Sequence, residues 1–241
     1  MNECQPDSMY ETLMRLPLFN GVTYKRLSEI IGHTRLEFSK YSPGERIVAA
    51  GEPCASIMFV IGGSVRLTMR NSADRFVVSQ TIETPSVVLP DFLFGLNTRF
   101  PAEVTAVDTV SIMQIKKNDF ISIIRSDEVC LFNYLNLVST NAQKSIDEVL
   151  SLPSGDIEMR IAYLFLALTQ RDAKDITLTG VRNLHSIFGA QRVSLVRALD
   201  SMKALGVLDY DDSEIRVDSR NALRSLLRLD GDRNGVDQLS D

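Results

Sequence analysis

The sequence predicts an α+β protein in three parts: an N-terminal double-stranded β-helix (jelly roll), a long helix and a C-terminal winged helix-turn-helix. Short apolar or alternating runs follow one another between residues 34 and 115. An apolar stripe with heptad-like spacing then continues for more than twenty residues. Near the C-terminus, two amphipathic helices joined at a glycine precede a hairpin pattern.

Composition sets the class of protein. The 241 residues allow two domains, and 44% hydrophobic residues can supply a packed core. No apolar run approaches the roughly 18 residues of a membrane span, and the first residues do not resemble a signal peptide. The three cysteines (Cys4, Cys54 and Cys130) are far apart, which argues against a disulfide framework or a zinc site. A cytoplasmic protein is therefore expected.

Two short helices are predicted before the strands. The first covers Tyr10–Leu16 and ends at Pro17, and Thr23 caps the second. Glycine and proline turns then separate eight predicted strands, a spacing typical of a barrel or jelly roll. The predicted strands are Thr34–Ser39, Glu45–Ala49, Ile57–Ile61, Ser64–Met69, Phe76–Thr81, Ser86–Leu89, Ala102–Ala106 and Val110–Ile115. Lys117 opens a helical turn.

A long helix is predicted from Asp127 to Leu150. Its apolar stripe could pack on the chain's own strands, but its length fits better with a parallel coiled coil formed by two copies. Phe132 and Ile146 widen the stripe. The predicted dimer interface comprises Leu131, Leu135, Val138, Ala142 and Val149.

The segment Leu152–Gly155 contains a proline and a glycine, so it should end the long helix and mark a domain boundary. The predicted parts are therefore residues 1–126, 127–153 and 154–241. Asp156 caps a further helix to Gln170, and residues 171–176 form a polar loop with possible strand character. The acidic tail from Asp230 is expected to fray.

The segment Leu184–Leu205 predicts two helices joined by a turn at Gly189-Ala190. In the second helix, spacings of four and three residues place one set of side chains on a common, buried face. This set comprises Leu195, Leu199 and Met202, with Ala198 beside them. Val193 and Arg197 project from the opposite face. Gly206 ends the helix, and a hairpin follows through residues 207–210 and 214–217.

A helix with an apolar back and an arginine-bearing front suits the DNA major groove. The candidate DNA-binding residues are Gln191, Arg192, Val193, Ser194, Val196 and Arg197. The net charge of −5 counts against nucleic-acid binding, but residues 181–203 carry four positive charges and one negative charge. The hairpin is acidic and should repel phosphates, so the helix is expected to make most of the contact. Its acids are Asp209, Asp211, Asp212 and Glu214.

Four motifs resemble those of the Crp/Fnr family of bacterial transcription regulators, over nearly the whole chain. Three lie in the strand region: Tyr41-x-x-Gly44-x-x-Ile47-x-x-x-Gly51-Glu52, Phe59-Val60-Ile61-x-Gly63-x-Val65-Arg66-Leu67 and Phe100-Pro101-Ala102-x-Val104-x-Ala106. The most specific is Gly189-Ala190-Gln191-Arg192-x-Ser194-Leu195-x-Arg197. The resemblance implies a homodimer that binds an inverted repeat in double-stranded DNA, acts with RNA polymerase and is not an enzyme.

The resemblance also implies an effector pocket, and here the sequence departs from the family pattern. Relatives that bind a cyclic nucleotide have a Gly-Glu pair for the ribose and an Arg-Ser/Thr-Ala triplet for the phosphate. Phe100 stands at the arginine position, and Glu103 nearby would repel a phosphate. The sequence therefore predicts that cyclic AMP or GMP is not the effector. The candidate pocket residues are Val88, Asp91, Phe92, Phe100 and Ser145.

Ser145 matches a base-contacting position of some relatives, although a small residue in the helix seam is the preferred interpretation. An iron–sulfur cluster is not expected, because the cysteines are not clustered. Haem is not expected either, because His33 and His185 are the only histidines. The apolar pocket residues could fill the space as core or admit a hydrophobic ligand. The effector and the operator stay open.

Val193 replaces a glutamate that many relatives use to contact cytosine, and valine offers only an apolar contact such as one to a thymine methyl. Two other functions are also considered. One is a ligand-binding protein whose DNA-binding helix has decayed and which acts through protein partners. The other is a jelly-roll enzyme, which the absence of histidine between Thr34 and Ile115 disfavours.

Overall fold

The computed structural model describes residues 6–71, 75–151, 156–181 and 184–227. The chain forms two compact units. The first comprises Met1–Leu67 and Ile82–Ala142, and the second comprises Thr68–Thr81 and Gln143–Asp241. The predicted boundary at Leu152–Gly155 and the tail from Asp230 lie outside the described residues, so the three-part division stays a prediction.

The first unit begins with two helices, α1 (Pro6–Met14) and α2 (Tyr24–His33). The first helix starts earlier and ends earlier than predicted, and Pro17 begins a 3-10 turn instead of directly ending the helix. The Thr23 hydroxyl accepts a hydrogen bond from the Arg26 N–H (3.4 Å), which confirms the predicted cap of α2.

All eight predicted strands form, with ends that differ from the prediction by no more than two residues. They are β1 (Leu36–Tyr41), β2 (Arg46–Val48), β3 (Ser56–Gly62), β4 (Ser64–Arg70), β5 (Val77–Glu83), β6 (Ser86–Val88), β7 (Glu103–Ala106) and β8 (Val110–Lys116). Four of them form an antiparallel sheet in the order β1-β8-β3-β6, while β2 pairs with β7. Phe19, Phe59 and Ile112 are buried in the core of this unit.

Two helices follow the strands. Lys117 opens a full helix, α3 (Lys117–Ser126), where only a helical turn was predicted, and α4 (Glu128–Ser151) is the predicted long helix. Asp127 accepts hydrogen bonds from Arg26 Nε (2.8 Å) and from the Cys130 N–H (2.9 Å). Burial alone would raise the pKa of Asp127, but these two donors outweigh it and lower the pKa. The buried carboxylate therefore caps the start of α4.

The second unit contains α5 (Ile157–Leu168), β9 (Lys174–Thr179), α6 (Leu184–Ile187), α7 (Arg192–Ala204), β10 (Asp209–Tyr210) and β11 (Glu214–Ser219). Asp156 caps α5 as predicted, and residues 220–227 form a further helix, α8. The segment predicted as a polar loop with possible strand character, residues 171–176, overlaps the first half of β9, and the strand continues three residues further. Strand β9 pairs with β11 on one edge and with β5 on the other. Among the described residues, no helix is long and apolar enough to cross a membrane.

Candidate nucleic-acid interface and effector region

Helix α7 has two chemically distinct faces. Its buried side is the predicted one, formed by Leu195, Ala198, Leu199 and Met202. Of the six candidate DNA-binding residues, five are exposed and Ser194 is half-buried. The side chain of Val193 is 61% exposed. The structure therefore brings the candidate residues together on one solvent-facing surface of a single helix.

The turn before α7 is held by a residue that the sequence did not single out. Arg160 Nη2 donates to the Phe188 carbonyl (2.6 Å), and its guanidinium lies 5.5 Å from the centre of the Phe188 ring. Gly189 follows with φ of +59°, a left-handed conformation that favours glycine. Gln191 is extended and its side chain makes no capping bond, so the amide group faces solvent at the start of α7.

The two candidate arginines are free to meet a ligand. Within the described parts of the chain, neither Arg192 nor Arg197 forms an ion pair or a side-chain hydrogen bond. Lys203 on the same helix, by contrast, binds Asp209 (2.6 Å). The exposed face of α7 thus offers two uncompensated guanidinium groups, which are suited to bidentate acceptors such as phosphate or guanine.

The β10–β11 hairpin, hereafter the wing, carries its own counter-charge. Arg216 lies opposite Asp209 in the strand register and donates to Asp211 and Glu214. Hydrogen bonds from Ser213, from backbone N–H groups and from Arg216 lower the pKa of Asp211. Arg216 is not among the residues predicted from the sequence, although an arginine facing an aspartate across a hairpin is a recognisable stabilising pair. Part of the wing's acidity is therefore neutralised within the wing.

The candidate effector residues differ in how deeply they are buried. Val88 and Phe100 are buried, Asp91 and Phe92 are half-buried, and Ser145 is exposed on α4. Leu89 has a left-handed φ of +45° and leads directly into a 3-10 turn at Pro90–Phe92. This strained entry places the Asp91 carboxylate at the start of the turn.

Asp91 is bonded to the long helix. Asn141 Nδ2 donates to both carboxylate oxygens of Asp91 (3.2 and 3.0 Å), and the Tyr134 hydroxyl donates to the Pro90 carbonyl (3.1 Å). Burial raises the pKa of Asp91 and raises that of Tyr134 to about 12. Asn141 is not among the residues predicted from the sequence, although it lies one helical turn before Ser145 and so shares its face of α4.

The residues present do not fit a cyclic phosphate. Phe100, which the sequence analysis expects at the arginine position, is buried and its backbone pairs with Gly51 and Glu52. The neighbouring Arg99 donates to the Gly51 carbonyl (2.7 Å). The charged side chain within the candidate set is the Asp91 carboxylate, which would repel the phosphate.

An amide at position 91 should stabilise the protein at neutral pH. The raised pKa means that the folded state favours the protonated carboxyl, so this contribution to stability is present at low pH and is lost as the pH rises through the folded pKa. Asp91→Asn removes the buried charge but can still accept from Asn141. Denaturant unfolding should give a higher free energy of unfolding than wild type at pH 7, and the gap should close below about pH 4.

Asp108→Asn is the matched control, with the opposite sign. Bonds from Ser64 lower the pKa of Asp108, so its stabilisation is present at neutral pH and is lost as the pH falls through the folded pKa. This variant should therefore be less stable than wild type at pH 7. If Asp91→Asn also proves less stable there, the buried charge is not the dominant effect at Asp91.

The cysteines do not form a redox or metal centre in the described residues. Burial raises the pKa of Cys54 and, together with the nearby Asp127 charge, raises that of Cys130 to about 12. Both thiols therefore stay protonated at neutral pH. Cys4 lies outside the described residues. The part of the chain that is described contains no group of three or more histidine, cysteine or carboxylate side chains arranged to bind a metal.

Helix α4 leaves an apolar seam in solvent. Six exposed residues follow one another at alternating spacings of three and four: Phe132, Leu135, Ser139, Ala142, Ile146 and Val149. Leu135, Ala142 and Val149 belong to the predicted dimer interface, and Leu131 and Val138 are half-buried beside them. Cys130 and Tyr134 are buried on the other side of the helix. The apolar stripe is therefore not buried by other described residues of the same chain.

One family model matches part of the chain. Residues 38–127 match the model of the cyclic nucleotide-binding domain. The match runs from β1 to the end of α3, so this region has the β-roll fold of such domains. No curated protein matches the sequence of this chain.

Several solved structures match most of this chain at low sequence identity. The catabolite activator protein of Thermus thermophilus is 19% identical, over 86% of this chain and 96% of its own, with a TM-score of 0.46. FixK2 of Bradyrhizobium japonicum is 17% identical, over 80% and 97%, with a TM-score of 0.45. The c-di-GMP-responsive global regulator CLP of Xanthomonas campestris is 16% identical, over 80% and 98%, with a TM-score of 0.48.

Proposed function

We propose that this chain is a homodimeric transcription regulator of the Crp/Fnr type that binds an inverted repeat in double-stranded DNA. The observation that carries the proposal is the exposed face of α7. Two unpaired arginines flank Val193 on this face, while the opposite face is buried in its own unit. A helix with that distribution, entered through a glycine turn and followed by a wing, fits the major groove.

Each residue of the face has a chemical role in this proposal. Arg192 and Arg197 bind guanine O6 and N7 or phosphate oxygens. Val193 and Val196 contact thymine methyl groups, because a valine side chain has no hydrogen-bonding atom. Gln191 and Ser194, near the start of α7, bind the DNA backbone.

In this proposal, the exposed seam of α4 forms the dimer interface. Its three-four spacing is that of a parallel coiled coil, and a second copy would remove the exposed Phe132, Leu135 and Ile146 from water. A two-fold dimer presents its two α7 helices to half-sites about 34 Å apart, one turn of DNA. The operator is therefore a near-palindrome, and RNA polymerase is the partner expected at a promoter.

The regulator responds to something other than cyclic AMP or GMP. Phe100 supplies no cation for a phosphate, and Asp91 presents a half-buried carboxylate bonded to Asn141. Burying a phosphate without a cationic partner costs several kcal/mol. An effector that binds beside Asp91 should be uncharged or should present hydrogen-bond donors.

Selection from random DNA by the purified chain tests the function. We expect a palindrome whose half-sites are rich in thymine and guanine, and an affinity that falls about 10³–10⁵-fold between 50 and 200 mM salt if 6–10 phosphates are contacted. Failure to enrich any palindrome, or an affinity insensitive to salt, would contradict DNA binding. That result would favour the alternative of a ligand-binding protein that acts through protein partners, for which the acids of the wing are the supporting observation.

A further inference from the structure

The second unit is built from two separate stretches of chain. Besides residues 143–241 it includes Thr68–Thr81, of which residues 68–71 and 75–81 are described and contain the end of β4 and most of β5. This segment is called the β4–β5 hairpin below. Strand β5 pairs with β9 through Val77↔Thr179, Val78↔Leu178 and Ser79↔Thr177. Because β9 also pairs with β11, the hairpin covers an edge that would otherwise expose backbone N–H and C=O groups.

Side chains reinforce this pairing. Gln80 of the hairpin is 0% exposed, and its Oε1 accepts the Gln170 N–H (2.7 Å) just beyond the end of α5. Val78 and Leu178, which face each other in the register, are both buried. Burying an amide is costly, and in Gln80 only the oxygen is bonded, because Nε2 is buried without a hydrogen-bond partner among the described residues. The Oε1 bond to Gln170 is therefore the polar contact that ties this part of the hairpin to the segment after α5.

At Gly180 the backbone passes very close to the backbone of the β4–β5 hairpin. Gly180, directly after β9, has φ of +86°, and a methyl group built on it would overlap the Arg75 carbonyl and lie 3.1 Å from the Phe76 Cα. The Gly180 N–H donates to the Ser213 carbonyl in the wing turn (3.3 Å). Gly180 therefore lies between the β4–β5 hairpin and the wing, four residues before α6 begins. Only a residue without a side chain fits there.

We propose that the β4–β5 hairpin is a working part of the DNA-binding unit, and that its docking on β9 controls the affinity for DNA. This inference rests on the proposed function. The docked hairpin fixes the backbone where the chain leaves β9 for the helix-turn-helix, and this is the arrangement that binds DNA. Strands β4 and β5 also contain Leu67 and Ile82 of the first unit, so a shift in those strands is carried along the backbone into the hairpin and from there to β9 through the β5–β9 pairing.

Gly180→Ala tests the docking, with Gly44→Ala as its matched control. Gly44 has φ of +80° and no neighbouring atom within 4 Å of an added methyl. Both variants incur the strain of alanine at positive φ, but only the methyl group of Gly180→Ala overlaps the backbone of the hairpin. We expect Gly180→Ala to bind the selected palindrome about 5- to 150-fold more weakly than Gly44→Ala, the range typical of coupled sites. Hydrogen exchange should accelerate in β5 and β9 in this variant alone.

A disulfide cross-link between β5 and β9 tests the docking independently, in case Gly180→Ala does not fold. Ser79 and Thr177 are directly opposed, so a Ser79→Cys, Thr177→Cys pair in a Cys4→Ser background has the spacing of a disulfide. Oxidised glutathione should close it, taking two electrons and two protons from the thiols. The cross-linked protein should keep the DNA affinity of the reduced form. Loss of binding on oxidation, with recovery on reduction, would overturn the proposal.

The two proposals fail differently. If the wild-type chain enriches no DNA, the proposed function fails, and hydrogen exchange still tests the docking without DNA. Equal exchange in β5 and β9 for Gly180→Ala and Gly44→Ala overturns the docked hairpin. If the wild type binds its palindrome and the two alanine variants bind it equally, only the control of affinity by the hairpin is wrong.

Discussion

Leu135→Asp is expected to convert the proposed dimer to a monomer and to lower the affinity for a palindrome about 10²–10⁴-fold, the avidity that two linked sites provide. Leu135 lies in the middle of the exposed α4 seam, where a coiled-coil partner would bury its side chain. A carboxylate there would face its symmetry mate in a water-poor interface, and neither charge would have a partner. The α7 helix itself is unchanged, so binding to an isolated half-site should persist.

Sedimentation and fluorescence anisotropy measure the two effects, and Asn136→Asp is the control. Asn136 is also exposed, and about 100° of helix rotation carries it away from Leu135. It gains the same negative charge on the same helix, yet it should stay dimeric. A Leu135→Asp protein that remains dimeric and binds the palindrome normally would place the dimer interface elsewhere.

Arg197→Ala is expected to weaken specific DNA binding by about 1–3 kcal/mol and to relax the base preference at one position of each half-site. The guanidinium is exposed and has no partner among the described residues, so its removal leaves no orphaned acid and should not affect folding. The loss should therefore appear in DNA binding and not in thermal unfolding. Competition with singly substituted half-sites would identify the base whose identity ceases to matter.

Arg171→Ala provides the comparison, because Arg171 is an exposed arginine of the same unit that lies outside α7. Both variants lose one positive charge, so a general electrostatic effect would weaken both equally. A specific role for α7 requires a larger loss for Arg197→Ala. Equal losses in the two variants would mean that the arginine acts only through net charge.

Elements whose identity depends on nearby residues were predicted well. The spacing of Leu195, Leu199 and Met202 is sufficient to define the buried face of α7, since helical geometry relates neighbours three and four residues apart. The eight strands were found because turn residues and period-two runs are local signals. The β9 strand was predicted only as a loop with possible strand character, because its polar ends conceal a strand whose two edges are both paired with distant segments.

For the candidate sites too, the features that depend on local spacing were predicted and those that depend on packing were not. The exposure of Arg192, Val193 and Arg197 follows from the periodicity of a single helix. The orientation of the α4 seam does not follow from the periodicity of the helix. The sequence indicated a stripe through Leu131 and Val138, which the structure leaves half-buried beside the exposed seam. Several faces of a long apolar helix satisfy a heptad pattern, and the packing of Cys130 and Tyr134 against the first unit selects among them.

The sequence alone determined the order of the parts, the buried face of α7 and the absence of a cation at Phe100, because each depends on residue type and local spacing. The tertiary structure decided that Asn141 bonds Asp91, that Arg216 neutralises part of the wing and that the β4–β5 hairpin completes the sheet beside Gly180. Two of these contacts join residues 50 or more positions apart. In the wing, the turn and strand register bring Arg216 opposite its acids. The two long-range contacts form only where backbone pairing and packing bring the chain together, and no local pattern specifies them.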